Sequence, residues 1–195
     1  MDSARYITDF ADQAVLLPLA VVIGVAMLAS GWQRGALAWT VVISAMLAVM
    51  LVLKIWAGAC GEILFGDQLQ SPSGHTASAA SIYGGVIALM LRRTFRRVPL
   101  ALVCAGVIAL LVGATRVLIG AHSVLEVAIG AAVGVAAAVI LEQTAGPVPS
   151  RLKMMPAVIA VLATVIIFHG LHLPAEAAIR KASVTWMPFG LCRAA

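Results

Sequence analysis

Apolar residues in this chain come in long uninterrupted runs, not in the alternation of a half-buried strand or the narrow stripe of a soluble amphipathic helix. Charge-free stretches recur near residues 14–30, 36–53, 76–91, 98–115, 127–141 and 156–168. With their flanking residues, each approaches the ~20 residues that cross a hydrocarbon core of ~30 Å at ~1.5 Å rise per residue. Lipid offers the backbone no hydrogen-bond partners, so helices are required. The pattern predicts an all-α fold, a six-transmembrane-helix bundle with spans near residues 14–30, 36–56, 74–92, 98–116, 122–142 and 153–172. These form a single transmembrane domain over residues 1–173, followed by a C-terminal tail, 174–195, to which no chemistry is assigned. No internal repeat of a solenoid kind is present.

Between the runs, smaller signals organise the chain. Ile7 and Phe10 stand at helical spacing among polar residues, which predicts a short interfacial helix over residues 4–13. Trp32 and Trp39 are expected to bracket the first turn at interfacial depth. Hydrophobicity falls over residues 58–70, expected to be the longest non-spanning connection. Such connections in compact proteins are often functional. Pro99 suits the first turn of the fourth span. Gly130 and Gly134, among alanines, form a face that lets another helix approach closely.

Composition agrees with a membrane protein: 63% of the 195 residues are hydrophobic and 11% charged, against roughly 25% charged in a soluble domain. The net charge of +5 would suit nucleic acid if it were spread over one surface, but its distribution says otherwise. Arg34, Arg92, Arg93, Arg96, Arg97, Arg151 and Lys153, seven of the 13 basic residues, share one face with a single acidic residue, Glu142. By the positive-inside rule that face is cytoplasmic, and the opposite face, with both termini, looks outward. Asp2, Asp9 and Asp12 outnumber Arg5 at the start and no positive leader region is present, so the first span is expected to be retained. The expected location is the inner (cytoplasmic) membrane of a bacterium, with no nucleic-acid partner. Cys104 falls within a span as a small packing residue, whereas Cys60 and Cys192 share the outward face and leave a disulfide open.

Chemistry-bearing residues collect on that outward face. Within Ser71-Pro72-Ser73-Gly74-His75, Pro72 discourages helix at Ser71 and either serine can cap a helix starting near Gly74. A helix start of this kind binds anions through its unpaired N–H groups, although the same residues also make an ordinary capped turn. Arg116, His122 and Glu126 sit at the outward ends of spans four and five, where an unpartnered charge is costly. His122 and Glu126 are four apart, so the carboxylate can accept a ring N–H and leave the other nitrogen as a nucleophile. Ser123 to Glu126 also fits a capping box, which would make Glu126 a cap. Arg116 offers a bidentate fork to a phosphate and Lys54 a second positive charge, or both simply reach for the interface. His169 and His172, three apart, suggest a metal pair, but no third ligand is evident nearby and interfacial histidines are the simpler reading.

Taken together, these residues resemble the motifs of the type-2 phosphatidic-acid phosphatase family, related to vanadium haloperoxidases. Pro72-Ser73-Gly74-His75 matches the second family motif in full. Arg116 and His122 match the third with its spacing intact, while Thr115 replaces serine and Glu126 replaces aspartate. In the first motif Lys54 is in place, but the expected Arg-Pro falls on Gly61-Glu62. The resemblance covers roughly residues 54–141. It implies a metal-independent phosphatase without cofactor, in which His122 attacks phosphorus, Glu126 orients it and His75 protonates the leaving oxygen. Lys54, Ser73, the Gly74 N–H and Arg116 would hold the phosphoryl oxygens.

The expected function is therefore hydrolysis of a lipid phosphate or diphosphate, of the undecaprenyl diphosphate, phosphatidylglycerol phosphate or phosphatidic acid type, at the outward-facing membrane interface. A non-catalytic anion- or lipid-binding bundle or transporter is the alternative, motivated by the degraded first motif. A haloperoxidase is a weaker third reading, since six apolar spans leave no entrance for a soluble substrate.

Overall fold

The computed structural model describes residues 2–92, 99–149, 154–173 and 178–179. Its helices are α1 (Asp2–Asp9), α2 (Gln13–Ala29), α3 (Gln33–Phe65), α4 (Gly74–Ala79), α5 (Gly85–Leu91), α6 (Leu100–Leu118), α7 (Val124–Thr144) and α8 (Met154–Phe168). A π-helical turn, Ala80–Gly84, joins α4 to α5, so the two make one rod. Five stretches, Ser3–Ala29, Gln33–Gln68, Gly74–Leu91, Leu100–Leu118 and Val124–Thr144, are long and apolar enough to cross a membrane, and Val158–Phe168 is a shorter apolar helix. The architecture is the expected helical membrane bundle. Arg93, Arg96, Arg97, Arg151 and Lys153 lie outside the described residues, as does nearly all of the tail.

The inward faces are held by small residues and a few large ones. α7 packs against α3, α4 and α6, and α2 packs against α3 and α8. Leu16, Leu19, Ile82, Leu89 and Leu141 are fully buried. Large aliphatic residues such as Val21, Leu37, Val52, Leu110 and Ile166 point outward, as lipid-facing helices allow. Gly130 and Gly134 on α7 do what their spacing predicts: a Cβ at either would strike the backbone carbonyls of Ser73 and Ala77. The start of α4 therefore lies directly on α7.

Tertiary structure adds two features to these expectations. The tryptophans of the first turn face the protein interior. Trp32 and Trp39 are buried, and their indole N–H groups donate to the carbonyls of Ala145, at 3.0 Å, and Ala20, at 2.8 Å. A buried indole is acceptable once its polar edge is satisfied. Next, α3 does not stop near Trp56; it continues to Phe65, and only then does a 3-10 turn, Gly66–Gln68, reverse the chain. At ~1.5 Å per residue this helix outruns a ~30 Å core, so its last turns reach beyond the membrane interior. The returning segment closes on it, with the Leu69 carbonyl seated where a Cβ on Gly61 would be.

The cysteines differ in state. Cys104 is a free thiol, whereas Cys60 is buried and disulfide-bonded. The Cys60–Cys192 pairing left open above falls on Cys192, outside the described residues.

Candidate active site

The segment 70–73 is fastened to the start of α7 before it becomes a helix. Glu126 does most of this. Its Oε1 accepts the backbone N–H groups of Gln70, at 2.8 Å, and Ser71, at 2.6 Å, and its own carbonyl accepts the N–H of Ser73 at 3.0 Å. Its Oε2 faces the Nδ1 of His122 at 2.9 Å and accepts the Ser123 N–H at 3.1 Å. The capping box is thus complete, with the Ser123 hydroxyl accepting the Glu126 N–H at 3.1 Å. Cap and orienter, alternatives in the sequence, are both filled by one carboxylate. His122 and Glu126 are buried, at 8% and 5% exposure, where charge-assisted hydrogen bonds are strong. A carboxylate on Nδ1 draws the ring proton there and leaves the lone pair on Nε2.

The spacing between Arg116 and His122 has a local cause. α6 ends at Leu118, Gly120 turns the chain with φ 69°, and the Arg116 carbonyl accepts the N–H groups of Ala121 and His122 at 3.0 and 3.4 Å. Both side chains therefore leave one compact backbone knot. Thr115, where the family motif has serine, is buried with its hydroxyl on the Val112 carbonyl at 2.7 Å.

Ser73 caps α4. It is fully buried, and its Oγ accepts the Thr76 N–H at 3.4 Å and pairs with the Thr76 hydroxyl at 2.9 Å. Lys54, buried on α3, crosses to this helix start: its Nζ donates to the Ser71 hydroxyl at 2.9 Å, and its Cε lies 3.2 Å from where a Cβ on Gly74 would stand. An ammonium group is thereby set beside the N-terminus of α4, where the helix N–H groups also attract anions. The position of the missing first-motif arginine holds no substitute. Gly61 is occupied by the Leu69 carbonyl, and Glu62 is exposed.

The contacts run without a break from Lys54 through Ser71, Gly74 and Glu126 to His122, so the sequence-selected residues form one neighbourhood. His75, the residue after Gly74, has its Nε2 3.5 Å from Oδ2 of Asp12. Asp12 escaped the sequence reading except as one acid among three. Its place before an apolar helix is a legible capping signal, and its Oδ1 does accept the Ala14 N–H at 2.8 Å. Its partnership with a histidine on another helix leaves no trace in sequence. His169 and His172 part company: His169 stacks near the rings of Tyr6 and Phe10, at 4.8 and 4.3 Å, while the His172 Nδ1 is 3.2 Å from Asp12.

No solved structure matches the chain at a significant level. The chain is 32% identical over 136 residues to a protein named phosphatidylglycerophosphatase B from Bacillus subtilis (strain 168), covering 66% of each, so it spans just under two thirds of that relative's length. The model of the PAP2 superfamily matches residues 5–147, which contain every residue of the site, and the chain belongs to that superfamily.

Proposed function

We propose that the chain is an integral-membrane phosphatase that hydrolyses a lipid phosphate or diphosphate through a phosphohistidine at His122. The observation that carries this reading is the buried Glu126 carboxylate on Nδ1 of His122. It fixes the tautomer that a nitrogen nucleophile needs. In the first step the Nε2 lone pair attacks phosphorus, the bond to the leaving oxygen breaks, and that oxygen takes a proton from His75. In the second, water attacks phosphorus and gives its proton back to His75, the P–N bond breaks, and inorganic phosphate departs. Lys54, Arg116 and the N-terminus of α4, capped by Ser73 and opened by the Gly74 N–H, offset the charge on the phosphoryl oxygens. The nucleophile, the acid and the cations are all side chains of the chain, and the reading needs no metal.

The family and the name of the Bacillus relative favour a phospholipid-type substrate. Undecaprenyl diphosphate, phosphatidylglycerol phosphate, phosphatidic acid and a lipid A phosphate share the required anionic head and apolar tail. In this reading the site opens at the outward face of a bacterial inner membrane, which the charge asymmetry supports. Asp67→Cys should then react with a membrane-impermeant thiol reagent from outside, and Gln33→Cys should not.

Purified protein is assayed for phosphate release from the four lipids with and without chelator, and quenched during turnover to trap the labelled intermediate. Turnover that survives chelation and an acid-labile phosphohistidine absent from His122→Ala are the expected results. Wild-type release by His122→Ala would overturn the mechanism. Binding without turnover over the whole panel would return the transporter or lipid-binding alternative.

A further inference from the structure

We propose that Asp12 is a positioning residue for His75, so that each imidazole of the site is carried by its own carboxylate. The inference rests on the assignment of His75 as the acid. Asp12 is buried, at 7% exposure, in the turn between α1 and α2, and its Oδ2 lies 3.5 Å from Nε2 of His75. The two residues reach each other from separate elements, the turn before α2 and the start of α4, and four further bonds hold that approach fixed. Gln13 donates to the Ser78 hydroxyl at 2.9 Å, tying the start of α2 to α4. Tyr83, in the π-helical turn, donates to the Phe10 carbonyl at 2.7 Å and pins the turn that carries Asp12. The Asp12 Oδ1 caps α2 through Ala14 and also accepts the Leu173 N–H at 3.4 Å.

The arrangement repeats the logic of the nucleophile. Glu126 caps α7 with the carboxylate that holds His122. Asp12 caps α2 with the carboxylate that faces His75. In both cases the helix cap fixes the carboxylate, and the carboxylate fixes the ring. With Nε2–H directed at Asp12, Nδ1 of His75 is the nitrogen that delivers the proton as the bond from phosphorus to the leaving oxygen breaks. His75 is then neutral with its remaining proton on Nε2, still directed at Asp12, and Nδ1 recovers a proton from the water that attacks the phosphohistidine. Asp12 stays ionised throughout and never touches the substrate. His172, exposed beyond the end of α8, shares Oδ2 at 3.2 Å and lies 4.0 Å from Asp9, so it supports the carboxylate from the solvent side.

Asp12→Asn separates this role from simple folding, because asparagine caps a helix about as well as aspartate. The variant is compared with His75→Ala on two substrates, phosphatidic acid in mixed micelles and p-nitrophenyl phosphate, whose leaving group departs without a proton. On phosphatidic acid Asp12→Asn should lose kcat on the order of tenfold to a hundredfold with KM little changed. On p-nitrophenyl phosphate kcat/KM, which reports only the step that forms the phosphohistidine and here needs no acid, should stay close to wild type, and adding Asp12→Asn to His75→Ala should cost nothing further. Equal losses in kcat/KM on both substrates, or wild-type turnover of phosphatidic acid by Asp12→Asn beside a crippled His75→Ala, would overturn the inference while leaving the acid in place. Wild-type turnover of phosphatidic acid by His75→Ala would overturn the acid assignment itself, and this inference with it.

Discussion

Glu126 meets the Nδ1 of His122 at 2.9 Å with the oxygen that also accepts the Ser123 amide, while its other oxygen holds the amides of Gln70 and Ser71. One side chain therefore faces the proposed nucleophile, caps α7 and anchors the loop proposed as the phosphate cradle.

Glu126→Gln should fold and lose most activity. The amide keeps one acceptor oxygen but no charge, so either the loop amides or the imidazole loses its partner. We expect a fall in kcat on the order of a hundredfold or more. Glu126→Asp restores the family's usual residue on a backbone built for the longer one. Shortened by one methylene, it should not reach all four donors, and it should show intermediate turnover with a lowered unfolding midpoint.

Lys54→Met keeps the length of the stem against Gly74 and removes the charge that donates to Ser71. Loss of a cation aimed at a phosphoryl group costs on the order of a hundredfold to a thousandfold. Steady-state kinetics should show that loss in kcat/KM, with thermal stability near wild type or above it, since a buried charge is costly to keep.

Gly130→Leu drives a side chain into the Ser73 carbonyl. Overpacking of this kind costs roughly 1–3 kcal/mol, and here it also pushes the loop off α7. Activity should fall further than the midpoint of unfolding suggests. Gly106→Leu on α6, where no atom lies within 4 Å of the added Cβ, is the matched control and should leave both unchanged.

Gly61→Arg puts back the arginine of the family's first motif. It should fail to raise activity and should destabilise the protein, because the Leu69 carbonyl occupies the space of its Cβ. A gain in turnover with an unchanged midpoint would mean that the segment after α3 can give way.

What could be read from sequence was whatever depends on local chemistry or on crossing lipid. The spans were legible because long charge-free runs have few other fates, and residues 71–75 because Pro, Ser and Gly impose a capped helix start. Gly130 and Gly134 announced a close approach, though not that Ser73 and Ala77 would be the atoms approaching. The extension of α3 to Phe65 was hidden, since its glycines and charges look like a loop until the returning Leu69 packs on Gly61. The inward direction of the two tryptophans was hidden for a related reason: an indole with a carbonyl to satisfy it is as content in a core as at an interface. Asp12 was read only as a count of charge, because the pairing with His75 is a product of how α2 and α4 pack.

The grip of Glu126 on the Gln70 and Ser71 amides turns two backbone protons into reporters of the reaction centre. An opening that exposes them to exchange with deuterium breaks the hold of Oε1 on the loop, so their exchange rates measure how often the segment leading to α4 comes away from the carboxylate that also faces His122.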